Sequence, residues 1–170
     1  MTRPSVGSRS HGADTRLMAR SYPFARPLDE GIQDRLRSER ILWLGTTGED
    51  GRPHLVPTWF WWDGSSFLLF SKPEARKVRN LRANAEVMLA AGDPEDDFDV
   101  QLVEGHAELL DEPAESVVPA GLATKYADQL RELALDLGEF ARTYSQAIRI
   151  APTRFLGWTG RSRLPGAAAA

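Results

Sequence analysis

Between residues 71 and 82 the chain reads SKPEARKVRNLR, which places Lys72, Arg76, Lys77, Arg79 and Arg82 close together in a protein of formal net charge −3. Arginine offers an oxyanion a planar bidentate grip and lysine a point charge, so this stretch is suited to holding a phosphate or carboxylate. Ser71-Lys72-Pro73-Glu74 has the S-x-x-E form of a capping box, with Pro73 in the first turn, and predicts a helix that Ser71 and Glu74 start. Ala75, Val78 and Leu81 then form an apolar stripe at steps of three, while Lys72, Arg76 and Arg79 share a second face. Cations gain at a helix C-terminus, whereas the first turn favours anions. Basic residues at the start of a helix, after a strand and a tight turn, therefore predict an anion site rather than a merely solvated face.

A second stretch, PHLVPTWFWWDG, holds Trp59, Trp61 and Trp62 of the five tryptophans. Core and interface packing is the expected role for at least two of these rings. Proline inside a strand removes a ladder donor, so Pro57 marks an edge or a bulge. Val56-Pro57-Thr58 can then present backbone atoms and a hydroxyl to a planar polar ring. His54 and His106 read as strand residues, each with one hydrogen bond.

Other chemistries are excluded by what the chain lacks. It has no cysteine, and His11, His54 and His106 stand far apart in sequence, so no HExxH or thiolate metal site exists. The acidic run Asp93, Glu95, Asp96, Asp97 and Asp99 lacks the glycine and distal glutamate of an EF-hand, and reads as a solvated hairpin connection. No metal is expected. G-x-S-x-G, G-x-G-x-x-G and the P-loop pattern are all missing. No apolar run approaches the ~20 residues that span a bilayer, and no secretory signal is visible, so a cytoplasmic protein without a membrane partner is expected. No catalytic residue is assigned.

These residues must be positioned by a fold. A helix over 28–39 is predicted, with Asp29 as N-cap and Ile32 and Leu36 on its apolar side. Six strands follow: ILWLGTT, PHLVPTWFWW, FLLFS, AEVMLAAG, VQLVEGHAELL and SQAIRIAPTRFLGW, the last kinked or placed at an edge by Pro152. One helix is expected over 124–144, from Tyr126, Leu130, Leu133, Leu137, Phe140 and Tyr144 at three- and four-residue steps. Six short antiparallel strands with few helices make a mainly β protein, a closed or partly closed barrel. Both faces of WFWW are apolar, so its outer face must be covered by a helix or a second subunit, and a homodimer is favoured. Residues 1–27 read as a flexible basic extension, 28–160 as the single domain and 161–170 as a disordered tail. The five arginines of residues 1–26 against Asp14 give +4, which leaves −7 for the rest. An acidic body of this kind does not suit a nucleic-acid partner.

In this order, LGTTGEDGRPHLVPTWFWWDG, LLFSKPEARKVRNLRANAEVMLA, VEGHAELL and AIRIAPTRFLGW resemble the pyridoxamine 5′-phosphate oxidase-like split-barrel superfamily, and within it the flavin and deazaflavin (coenzyme F420-dependent) oxidoreductases. The resemblance implies a homodimer of six-stranded split barrels with a flavin-type cofactor at the interface. It implies that the ring rests on the second strand, here His54, Leu55, Val56, Pro57, Thr58 and Trp59. The phosphate is then held by the strand end Phe70-Ser71 and by the Arg76-Lys77 pair, with Lys72 assisting. Thr58 and Pro53 stand where the vitamin B6 oxidases carry a lysine and an arginine, and their long C-terminal segment has no counterpart after Trp158. That points away from pyridoxamine phosphate and towards reduced F420, passing hydride to a small unsaturated or quinone-like acceptor. The alternatives are an FMN-dependent enzyme of the same fold, a non-enzymatic flavin-, deazaflavin- or haem-binding protein, and, more weakly, a barrel that binds single-stranded nucleic acid. Arg79 and Arg82 are left open between the glutamate tail of F420 and plain water.

Overall fold

The structure is a computed structural model, and it describes residues 25–26, 28–92 and 100–158. The acidic run, the tail from 161 and most of the extension lie outside the described residues. Within the extension, Ala25–Arg26 form β1 and pair with the last strand.

Helix α1 (Glu30–Ser38) begins where the sequence requires, with the Asp29 carboxylate accepting from the Ile32 N–H at 2.9 Å. Strand β2 (Leu42–Thr47) alternates, with Leu42, Leu44 and Thr46 inward and Trp43 outward. A turn bonded from Gly48 N–H to the Arg52 carbonyl at 2.9 Å, with Gly51 at φ +75°, returns the chain as β3 (Pro53–Thr58). Pairing of β3 ends at Thr58. Trp59 and Phe60 are unpaired, and β4 (Trp61–Trp62) pairs instead with β5 (Phe67–Ser71). After α2 (Arg76–Ala83) come β6 (Glu86–Gly92), β7 (Val100–Leu109), four short helices and β8 (Gln146–Trp158).

The sheet is antiparallel, in the order β3-β2-β6-β7-β8-β5-β4, with β1 beside β8. It is a mainly β, curled half-barrel with flanking helices, as expected of a split barrel, but its path has seven strands rather than six. The extra strand arises because PHLVPTWFWW is not one strand. The ends of the path, β3 and β4, are consecutive in sequence, so the barrel is closed there by two residues of chain and not by a ladder. Both Pro53 and Pro57 lie on β3, where a missing N–H costs no ladder bond on the open side. Pro152 falls between the stretch of β8 that pairs with β5 and the stretch that pairs with β1, so on that side it has no strand partner among the described residues. It sits in β8 opposite Gly105, beside a register shift at Glu104/Gly105 that absorbs it.

Two cores result. The first fills the barrel with Leu42, Leu44, Phe60, Trp62, Phe67, Leu69, Leu89 and Ile148, and is plugged by Ile32 and Leu36 of α1 and by Val78 and Leu81 of α2. The second lies outside β5 and β8, where Leu68, Phe70 and Ala147 meet Leu122, Tyr126, Leu130 and Phe140. Trp59 and Trp61 pack into this second core, so helices cover the outer face of WFWW. Gly121 lets its short helix close on the Trp61 ring, where a Cβ would collide.

The helix expected over 124–144 is not continuous. The segment forms α4 (Ala120–Lys125), α5 (Ala127–Glu132) and α6 (Leu137–Thr143), preceded by α3 (Ala114–Val117). Ala134 turns the chain at φ +52°, and Asp136 starts α6 through a capping box: its carboxylate accepts from Glu139 N–H at 2.7 Å, and its own N–H donates to Glu139 at 2.9 Å. This strong local cap overrides the continuing apolar period.

Candidate functional site

The basic helix starts later than its sequence suggests. Ser71 remains in β5, buried and paired with Gln146, and its hydroxyl donates to the Lys72 carbonyl at 3.4 Å. The S-x-x-E capping box does not form, because strand pairing holds Ser71 out of reach. Ala75 occupies the N-cap without a side-chain hydrogen bond, and Arg76 and Lys77 become the first two residues of α2. The uncapped N-terminus and two cations therefore coincide.

Lys77 faces a cavity of about 260 Å³ at the open end of β3. Pro57, Thr58 and Trp59 form its floor, Ile41 one side, and Leu133, Phe140 and Tyr144 of the helical layer its roof. Trp59 is fixed by stacking on Tyr126 (centroids 4.5 Å apart, 7° between planes) and on Phe140 (5.5 Å, 15°). Phe140 in turn meets Tyr144 at 4.9 Å. The Thr58 hydroxyl donates to the Trp59 carbonyl at 3.2 Å, which leaves its lone pairs available. Lys77 is half-buried, and burial lowers its ammonium pKa below the usual lysine value. No carboxylate among the described residues pairs with it. A desolvated cation without a counter-ion, at the rim of an aromatic cavity, is a site shaped for an anion attached to a flat apolar group.

Arg76 lines a separate cleft of about 340 Å³, between α2 and the β2–β3 turn. His54 lies within the field of both cations: burial, then Arg76, then Lys77 lower its pKa by disfavouring the charged ring. Its Nδ1 is 3.5 Å from the Thr46 hydroxyl, which accepts from buried Asn80 at 2.9 Å and so ties α2 to the strands. His106 makes one strand-to-strand contact, Nδ1 to Glu86 at 2.8 Å.

The expected residues thus separate. Pro57, Thr58, Trp59 and Lys77 line the cavity, and Arg76 lines the neighbouring cleft. Val56 is half-buried opposite Leu44, and Leu55 is 60% exposed on the outward face. Phe70 and Ser71 are buried and Lys72 is exposed, and none of these three lines the cavity. Sequence reasoning missed Ile41, Leu133, Phe140 and Tyr144 as cavity residues. The last three read as one core stripe, and the available signal was Asp136-x-x-Glu139, which breaks that stripe and turns its second half over the cavity. Among the described residues no group of three or more His, Asp or Glu side chains could hold a metal ion, and no helix is long and apolar enough to cross a membrane.

A curled antiparallel half-barrel with helices over one face and a basic helix N-terminus beside an aromatic cavity defines a split-barrel protein. The chain belongs to the pyridoxamine 5′-phosphate oxidase family, whose model matches residues 28–159. Among solved structures it is similar to a protein named F420 Reductase (25% identity, TM-score 0.60, 75% of this chain and 98% of that one). It is also similar to the Mycobacterium tuberculosis protein Rv2991 (25%, TM-score 0.67, 88% and 96%). A FAD-binding protein from Mesorhizobium loti shares the fold at 19% identity (TM-score 0.55, 75% and 89%). No curated protein matches the sequence.

Proposed function

We propose that the protein is a cytoplasmic, homodimeric oxidoreductase that uses reduced F420 to transfer hydride to a small unsaturated or quinone-like acceptor. The observation that carries this reading is Lys77, a half-buried cation with no anionic partner among the described residues, placed between an uncapped helix N-terminus and an aromatic cavity. Arg76 and Lys77, with Lys72 near by, hold the cofactor phosphate. The β3 backbone from His54 to Trp59 supports the ring, and Phe70-Ser71 ends the strand that leads to the phosphate. The bound deazaflavin supplies the hydride, and the chain supplies orientation and exclusion of water through Trp59, Leu133 and Phe140. The likeness to a protein named F420 Reductase supports the choice of cofactor.

The dimer completes the site. Ile41, Trp43, Leu55 and Met88 are 39%, 46%, 60% and 38% exposed, and register places Trp43 beside Pro57 and Gly45 between Leu55 and Met88. This apolar face of β3-β2-β6 runs into the cavity through Ile41 and Pro57, so a second copy seated on it walls the cavity's open side.

FMN is the second reading, because a grip made of Arg76 and Lys77 suits its phosphate equally well. Haem finds no histidine among the residues lining the cavity. Titration of the purified chain with F420 and FMN side by side, followed by tryptophan fluorescence, tests the proposal, with Trp59 as reporter. Quenching by F420 and not by FMN is expected. A yellow protein that carries flavin, or no response to either cofactor, sinks it.

A further inference from the structure

A second lysine shares the situation of Lys77. Lys125, the last residue of α4, is half-buried and lines a different cavity, of about 380 Å³. Arg37 of α1, Trp61 and Trp62 of β4, and Asp63 complete that lining. None of these residues lines the cavity that holds Lys77, so Trp59 serves one cavity and its near neighbours Trp61 and Trp62 serve another.

The Lys125 ammonium donates to the Leu36 carbonyl at 3.3 Å and stands 3.7 Å from the centre of the Phe60 ring. It has three N–H donors, so one is left over. No carboxylate among the described residues pairs with it. Burial lowers its pKa to about 8, against the pull of Glu39. The charged groups around it are engaged elsewhere. Glu39 pairs with Arg35 at 3.2 Å, and Arg37 pairs with Asp34 at 2.8 Å. Asp63 accepts from the N–H and the hydroxyl of Ser65, at 2.8 and 2.9 Å, and from both groups of Ser66 at 2.7 Å. Four such bonds use up the acceptor capacity of a carboxylate. The neighbouring Tyr126 phenol is held by the backbone of Phe60 and Arg40. Lys125 therefore brings to this cavity one positive charge that no group of the chain neutralises.

We infer that the cavity is a second ligand site, for a flat aromatic carboxylate whose anion meets Lys125 and whose ring lies against Trp61. One unpaired cation matches one carboxylate and not a doubly charged phosphate, and the tryptophans offer the ring its apolar surface. The site stands whichever cofactor the first cavity takes, since the two share no lining residue.

The probe is 2-naphthoate, titrated calorimetrically into the full chain carrying Lys77→Ala, which strips the first cavity of its cation. One equivalent should bind. Adding Lys125→Met should weaken binding roughly tenfold or more, whereas neutral 2-naphthylmethanol should bind both chains alike within about twofold. A second readout needs no change at Lys125. The ammonium is charged below about pH 8 and loses its proton above, so naphthoate affinity should fall about tenfold from pH 7 to pH 9. Circular dichroism checks that Lys125→Met folds, and if it does not, the pH profile decides. Absence of binding to the Lys77→Ala chain, equal affinity with and without Lys125→Met in folded protein, or a flat pH profile overturns the inference.

Discussion

The Tyr126 hydroxyl lies 2.9 Å from the amide nitrogen of Phe60 and 2.9 Å from the carbonyl oxygen of the same residue. Phe60 is fully buried at the point where the sheet path is interrupted, so neither group has a strand partner. The phenol accepts from the Phe60 N–H, and its single proton is shared between the carbonyls of Phe60 and of Arg40, the latter also at 2.9 Å. One side chain thus replaces a missing stretch of ladder and holds the split closed.

Tyr126→Phe removes that replacement and leaves buried backbone groups unpaired. The variant should lose about 1–3 kcal/mol of stability, read as a lower denaturant midpoint at unchanged slope. Burial pushes the phenol pKa up to about 12, against the opposing pull of the Phe60 backbone and Arg40, so the contact should persist across the neutral and mildly alkaline range. A midpoint equal to that of the natural chain would remove Tyr126 from this role.

Arg76→Ala and Lys77→Ala should each weaken cofactor binding by roughly ten- to a hundredfold, the range for a hydrogen bond to a charged group. The fold should survive both. Lys77→Ala should unfold at the same temperature as the natural chain or higher, because it relieves the desolvation of a cation that has no described ion-pair partner. Calorimetric titration and thermal melts on the same samples check both halves, and normal binding by both variants contradicts the placement of the phosphate.

His54 should titrate below 6.5 in the free protein, because burial and the charges of Arg76 and Lys77 disfavour its protonated form. In the free protein its contribution to stability is complete above pH 6.5 and is lost as pH falls through the depressed folded-state pKa. An anion on the two cations removes their repulsion, so the pKa should rise on cofactor binding. By linkage the cofactor should bind more tightly as pH falls through that range. Following the imidazole resonance by NMR, with and without cofactor, settles the sign, and an unmoved His54 would mean that the anion binds elsewhere.

Leu55→Glu places a charge in the centre of the bare apolar face. The chain should sediment as a dimer, and the variant should weaken association by more than about tenfold. Cofactor affinity should fall with it, since the second copy walls the cavity. A natural chain that is monomeric at micromolar concentrations, with undiminished cofactor binding, would refute the dimeric site.

Features that depend on neighbours along the chain are legible in residue order. Alternation drew the strands, Asp29 capped α1, Pro57 marked an edge, and the steps of Ala75, Val78 and Leu81 gave α2 an apolar side with cations beside it. The same local signals misjudged Ser71 and Glu74, because pairing with Gln146, many residues away, keeps Ser71 in a strand. They merged β3 with β4, because nothing in WFWW reveals that a distant tyrosine satisfies the backbone of Phe60. Periodicity reports that a face is apolar but not what covers it. It took the fold to bring helices over Trp59 and Trp61, to set Trp43 and Leu55 on the outward face of β3-β2-β6, and to make Phe140 and Tyr144 line the same cavity as Lys77.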